Sequence, residues 1–409
     1  MKAHARPRLS ARLLAWVLLL AGLVPAHLAA TGQTFRVLYS FTGAKDGGNP
    51  APGLTLGGSG SLYGEAMFGA EPGCARNAGC GTLFELALNS GKWSEIELYS
   101  FTGGADGGNP SGGLVFDKKG NLYGVTISAG TAGCGVAFEL NPDSGGWTEN
   151  VLHDFGGTGG CSPIAGLIFD TKGNLYSTLP TGQVYQLTKS TGRWEEKILY
   201  TSNGEPGAAV IFDRPGNLYS TTPLGGTGGG TIFELMHGNW KERTLYEFAG
   251  PGGGEPEAAL VFDEAGNLYG QTLLGGKYNM GVVFKLVPGA KGKWKETVLH
   301  SFKGGSDGEY PISSVPVFDK AGNLYGTTGQ GGGTGCGGKG CGTVFKLAPG
   351  KGGHWKETVL HRFTDSDGRW PYYGVVIDKA GNLYGTTGYG GNPGCFQNLG
   401  CGVVFEITP

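Results

Sequence analysis

The sequence predicts an all-β fold: a seven-bladed β-propeller whose N-terminal strand closes the last blade. The first observation is repetition. A Gly-Asn-Leu-Tyr core recurs along the 409 residues, opened by Gly60, Gly120, Gly173, Gly216, Gly266, Gly322 and Gly381, with Ser61 replacing Asn in the first copy. The copies lie 43 to 60 residues apart, close to the period of propeller blades, and no 3.6-residue apolar period of a helical solenoid accompanies them. The second observation is that each unit carries the same landmarks in the same order, enough for four strands. The third is an imbalance at the ends: the seventh unit is one strand short, and an unmatched strand stands near the N-terminus.

Blade 2 shows the elements in order. Gly113 to Asp117 is a short apolar strand, and Leu122 to Thr126 returns along it through the turn Asp117-Lys118-Lys119-Gly120-Asn121. Such a turn needs glycine where φ is positive, and Asp and Asn suit its flanks because they bond locally to the backbone. Gly135 to Leu140 alternates as a half-buried third strand, and Trp147 to Phe155 forms the outer strand. Equivalent third strands end at Leu86, Leu187, Leu235, Leu286, Leu347 and Ile407, and equivalent outer strands open at Trp93, Trp194, Trp240, Trp294 and Trp355. The last unit stops at Pro409 after Phe405-Glu406-Ile407, whereas residues 34–41 match the outer-strand ending Leu98-Tyr99-Ser100-Phe101. Residues 34–41 are therefore expected to be the outer strand of blade 7, an arrangement that removes two exposed sheet edges.

Composition agrees with one β domain over residues 31–409. Glycine supplies 83 residues without a Gly-X-Y period, and 11% aromatic content provides for cores between blades. A net charge of −2 with no basic stripe excludes a phosphate-tracking, nucleic-acid-binding protein. Residues 1–30 read as a signal peptide, with Lys2, Arg6, Arg8 and Arg12 before an apolar run from Leu13 to Val24 and a small-residue cleavage site at Leu28-Ala29-Ala30. That run is shorter than the roughly 20 residues a spanning helix needs. The mature chain is expected to be secreted or periplasmic, monomeric and without a membrane span.

Eight cysteines fit an oxidising compartment. Cys74 and Cys80, Cys336 and Cys341, and Cys395 and Cys401 form local pairs in loops between second and third strands. Cys134 holds the same pre-strand place as Cys80, and its expected partner is Cys161, in the link to blade 3, because link and loop emerge on one face. Zinc at such a pair is the alternative, though two thiolates fall short of the four ligands of a closed site.

The run Phe101-Thr102-Gly103-Gly104-Ala105-Asp106-Gly107-Gly108-Asn109-Pro110, followed by Gly-Leu-Val-Phe-Asp-x-x-Gly-Asn-Leu-Tyr-Gly and Gly-Cys-Gly-x-x-Phe-Glu-Leu, resembles the GloVer tandem repeat of choice-of-anchor bacterial surface proteins, over essentially all of residues 35 to 409. The resemblance implies an exported repeat protein and carries over no activity. The turn also resembles, more weakly, propellers of the NHL and gluconolactonase type.

Most conspicuous polar residues have a structural reading. The turn aspartates Asp117, Asp170, Asp213, Asp263, Asp319 and Asp378 are expected to order hairpins, and His153, His300 and His361, which align with tyrosines of other outer strands, to pack. Asp46, Asp106, Asp307 and Asp367 stand in links before glycine. Asp365-Ser366-Asp367-Gly368 carries a trace of a calcium loop without its distal glutamate, so no cofactor is expected and calcium stays as the alternative.

Variation concentrates on the link-bearing face, where binding sites are usually built on a constant scaffold. Before the proline that leads into each first strand stand Asn49, Asn109, Ser162, Glu205, Glu255, Tyr310 and Trp370. Tyr372, Tyr373 and Tyr389 lie close in sequence. Acids on blades 4 and 5 beside aromatics on blades 6 and 7 suit a sugar ring, with apolar faces to stack on and hydroxyls to bond. The expected ligand-binding set is Tyr310, Trp370, Tyr372, Tyr389, Glu205 and Glu255, against the alternative that the tyrosines only close the channel. The preferred function is an exported, non-catalytic binding or scaffold protein recognising an extracellular glycan or a surface protein. The alternative is an extracellular saccharide- or lactone-acting hydrolase or lyase with Glu205 and Glu255 as acid and base.

Overall fold

The computed structural model describes residues 33–50, 53–69, 74, 78–156, 160–202, 208–395 and 398–409. The expected signal peptide lies outside the described residues. Within them the chain forms seven four-stranded antiparallel sheets arranged as propeller blades. Six take their strands consecutively. The seventh runs in the order β1 (Thr34–Ser40), β28 (Val403–Thr408), β27 (Leu383–Thr387), β26 (Val375–Ile377), so the first strand of the chain is the outer strand of the last blade. Phe35 pairs with Ile407 and Val37 with Phe405, and the Phe35 ring stacks on His361 at 3.6 Å between centroids.

The hairpin turns form as their composition dictates. In blade 2 the Asp117 Oδ1 accepts from the N–H groups of Lys119 (2.7 Å) and Asn121 (2.9 Å), its Oδ2 accepts from Asn121 Nδ2 (2.9 Å), and Gly120 supplies a φ of 91°. The same bonds recur around Asp170, Asp263, Asp319 and Asp378. Burial alone would raise the Asp170 carboxyl, but the bonds from Asn174, Lys172 and Tyr176 hold it below its ordinary range. These aspartates are turn fasteners.

The core lies between blades. The phenylalanine that follows an outer strand sits edge-on against the third-strand aromatic of the next blade: Phe41 on Phe84 (5.1 Å), Phe101 on Phe138 (5.3 Å), Phe155 on Tyr185 (5.3 Å), Phe248 on Phe284 (5.0 Å), Phe302 on Phe345 (5.2 Å) and Phe363 on Phe405 (5.1 Å). The seam between blades 3 and 4 differs, because Ser202 stands where the others have phenylalanine, and there Tyr200 lies tilted against Phe233 at 5.7 Å. In each blade the outer strand also skips one residue of register, leaving Leu38, Leu98, Leu152, Leu199, Leu245, Leu299 or Leu360 as a bulge. Each of these leucines packs into a seam core.

All four expected disulfides are present: Cys74–Cys80, Cys134–Cys161, Cys336–Cys341 and Cys395–Cys401. The Cys336–Cys341 bond removes the thiolates that a zinc ion would need there, although Asp365 lies close by.

Candidate functional site on the loop face

Links and second-to-third-strand loops share one face of the ring. They pair directly as Gly48 with Phe68, Gly254 with Leu274, Glu309 with Gln330 and Arg369 with Tyr389. The link aspartates anchor this face. Thr102 N–H and Oγ1 donate to Asp106 at 2.7 and 2.6 Å, and Tyr99 donates its hydroxyl proton at 3.1 Å. His300 and His361 take the tyrosine's place toward Asp307 (3.2 Å) and Asp367 (3.1 Å). Asp365 turns instead to Arg369 at 3.4 Å, so both carboxylates of the calcium-like run have internal partners.

Where a link ends, the backbone turns left-handed: φ is 55° at Asn49, 57° at Asn109, 57° at Ser162, 55° at Glu255, 56° at Tyr310 and 58° at Trp370. Each N–H reaches back to a loop carbonyl of the preceding blade, from Asn49 to Cys401 (2.8 Å), Glu255 to Gly229 (2.9 Å), Tyr310 to Met280 (3.0 Å) and Trp370 to Cys341 (2.9 Å) among them. The main chain alone fixes this position. In blades 1 and 2 it holds asparagine, which tolerates positive φ, and the amides are consumed internally, Asn49 Nδ2 donating to Gly388 O (3.0 Å) and Asn109 Nδ2 to Met67 O (2.9 Å). Blades 6 and 7 place tyrosine and tryptophan in the same strained geometry.

Those aromatics belong to a cluster with room made for it. Trp370 lies near-parallel to Tyr372 (5.8 Å, 24°) and edge-on to Tyr389 (5.3 Å, 87°), and the Arg369 guanidinium sits over the indole at 4.7 Å. Gly329 and Gly388 stand where blades 1, 2 and 5 have Met67, Ile127 and Leu273. Neither glycine has a positive φ; a Cβ on Gly329 would meet Tyr372 Cε1 at 2.8 Å, so space is what it provides. Burial raises the Tyr372 hydroxyl well above its ordinary range, as do the nearby tyrosines.

Tyr373 turns inward and, edge-on to Tyr372 at 6.3 Å, joins the cluster to the central channel. A cavity of about 300 Å³ at this end is lined by Tyr373 with Met67, Ile127, Ile164, Val315 and Glu257. It shares Gly112, Gly166, Val315 and Tyr373 with a second cavity of about 420 Å³ walled by Thr55, Leu114, Val261 and Val376. Burial, and then the charge of Glu255, raise the Glu257 carboxyl. Behind the wall, Glu65 is 1% exposed and accepts from Gly113 N–H at 3.0 Å through Oε2, while its Oε1 has no partner among the described residues. Burial pushes it up to about 8 against the opposing Gly113 bond, and burial likewise pushes Tyr373 up to about 12, with Tyr389 and Glu65 adding to it.

Of the expected binding set, Trp370, Tyr372 and Tyr389 come together as one cluster. Tyr310 joins it through the main chain, its carbonyl accepting from Gly329 N–H at 2.9 Å. Glu255 stands on blade 5 beside Glu257, and Glu205 lies outside the described residues. Glu257, Tyr373 and Arg369 were not in the set. The sequence held a signal for one of them: with the blades aligned, Tyr373 is a bulky residue where other blades have Gly112, Ala165, Ala208 and Ala258.

Fold and face together define a disulfide-stapled repeat propeller with an aromatic crown beside its channel. The chain belongs to the Gloeobacter/Verrucomicrobia repeat family, whose model matches residues 26–208 and 206–409. No protein of curated function matches it in sequence. Among solved structures, a chain in the crystal structure of a nidogen/laminin complex is similar over 70% of this chain and 91% of its own, at 16% identity and a TM-score of 0.44. A putative 6-phosphogluconolactonase from Bacteroides uniformis ATCC 8492 is similar over 75% and 83%, at 11% identity and a TM-score of 0.48. No helix among the described residues is long and apolar enough to cross a membrane.

Proposed function

We propose that the protein is an exported, non-catalytic propeller that binds extracellular carbohydrate on its loop face over blades 6 and 7. The observation that carries this reading is the choice of residue at the left-handed link ends. Asn49 and Asn109 suit that backbone, whereas Tyr310 and Trp370 occupy it at a cost of about 1 kcal/mol each. The left-handed turn itself gives no reason for the aromatics there, since asparagine meets its backbone demand at lower cost. A flat indole and the phenols of Tyr372 and Tyr389 offer an apolar face for a pyranose ring and polar groups for its hydroxyls. Four disulfides support an oxidising compartment outside the cytosol.

The test is a glycan array on the mature protein, followed by titration of a hit against Trp370→Asn and Tyr372→Ala. Loss of at least tenfold in affinity, with the melting temperature of Trp370→Asn unchanged or raised, is the expected outcome. An array with no hit, or a hit that both variants bind like the parent, would transfer the role to contacts with a surface protein. Cleavage of a bound saccharide would replace the reading with a hydrolase.

A further inference from the structure

The central channel has a chemistry of its own. Its upper cavity is walled by aliphatic and small side chains, and two of them, Ile164 and Val315, remain 45% and 39% exposed. Across both cavities Glu257 is the one charged residue among the described lining, with no lysine or arginine to neutralise it. Glu255 brings a second carboxylate close enough to act on Glu257. Glu65, behind the wall, keeps its proton at neutral pH because burial pushes it up to about 8, and so adds no charge. The Tyr373 ring stands at the same level of the channel.

We infer that the channel mouth is a binding site for a slender organic cation, an alkylammonium group or the side chain of a lysine, with Glu257 as its counter-ion and Tyr373 as its aromatic wall. The argument is complementarity. A half-buried carboxylate is stabilised by an opposite charge entering from water, the aliphatic wall removes water from the alkyl stem, and an aromatic face attracts a cation. A neutral molecule lacks the charge attraction that Glu257 offers a cation, and an anion is repelled. About 300 Å³ accommodates a linear amine of six carbons. The site is separate from the aromatic crown proposed for carbohydrate, and either can fail without the other.

The experiment is calorimetric titration of the mature protein at pH 7 with hexylammonium, using hexan-1-ol and hexanoate as neutral and anionic mates of the same shape. The expected result is a dissociation constant of about 1 mM or tighter for the amine alone, weakened at least tenfold by Glu257→Gln. Ala259→Leu, which fills the cavity without touching the charge, should also abolish binding, and Trp370→Asn should leave it intact. Thermal melts confirm that each variant is folded. The inference is overturned if hexan-1-ol binds as well as the amine, if Glu257→Gln stays within twofold of the parent, or if roughly 10 mM hexylammonium produces no heat.

Discussion

The seams on either side of blade 1 and the seam between blades 3 and 4 are built from the same repeat, yet they are held differently. Around blade 1, Phe41 and Phe101 fill the two seams, Asn49 and Asn109 bond across them, and disulfides Cys395–Cys401 and Cys74–Cys80 sit against the links. Between blades 3 and 4 the phenylalanine is replaced by Ser202, Tyr200 lies tilted on Phe233, and the second-to-third-strand loop of blade 3 shrinks to Pro180-Thr181-Gly182. The reinforced arc adjoins blade 7, where β1 docks on β28 without a covalent link between them. All of these seams are crossed by the chain itself; what sets the arc at blade 1 apart is the unlinked β1–β28 pair inside blade 7, which the neighbouring seam buttresses, whereas blades 3 and 4 each hold four consecutive strands and tolerate less.

Four perturbations would break or sharpen that contrast. Deleting residues 34–41 removes the outer strand of blade 7 and exposes the β28 edge; chromatography and circular dichroism should show aggregation and loss of a cooperative melt. A deletion variant that melts like the parent would mean the joint is dispensable. Next, Phe101→Ala empties a fully buried site and should cost about 3–5 kcal/mol in denaturant titrations. Tyr200→Ala, at the weaker seam, should cost about 1–2 kcal/mol, and equal costs would erase the distinction.

Third, the staples should rank by the loop they close. Cys134–Cys161 spans 27 residues and ties a blade 2 loop to the link beyond it, so its double serine replacement should cost about 3.5 kcal/mol; Cys336–Cys341 spans 5 and should cost about 2. The reverse order in paired unfolding curves would show that loop closure is not what these bonds contribute.

Fourth, Glu65 at the seam of blades 1 and 2 and Thr178 at the seam of blades 3 and 4 hold the same strand register. Thr178 Oγ1 donates to Ala208 O at 3.0 Å without ionising, whereas Glu65 is buried and pushed up to about 8. Its folded value lies above the ordinary 4.5, so the native chain keeps a proton that the unfolded chain releases in that interval. The contribution is full below pH 4.5 and is lost as pH rises toward 8, on the order of 5 kcal/mol in all. Glu65→Gln should flatten this part of the stability profile and raise the melting temperature at pH 8. An unchanged slope between pH 5 and 8 would mean that Glu65 is not the group responsible.

The architecture was legible because repetition reports it several times over. Seven turn cores, the recurrent tryptophan and the unmatched strand at residues 34–41 each gave the blade count or its closure, and the disulfide pairs followed from aligning the cysteines between blades. The candidate site was legible only in part. Positive φ at Ser162, Glu255, Tyr310 and Trp370 leaves no trace in residue type, since main-chain bonds to the preceding blade impose it. The bulge at Leu98 and its counterparts preserves the apolar pattern and so hides a register shift. Glu257 escaped because it stands two residues from Glu255, and the choice of which carboxylate faces the channel belongs to the fold around Pro256, not to sequence spacing.

Strand order in blade 7 also sets a timetable. The segment that is synthesised earliest among the strands, β1, finds its berth only once β28, the latest, has been made and threaded into place. Until that moment every intermediate carries two unsatisfied sheet margins, and neighbouring unfinished copies present matching ones. A yield that falls as nascent chains crowd together is the expected cost of a circle whose beginning must wait for its end.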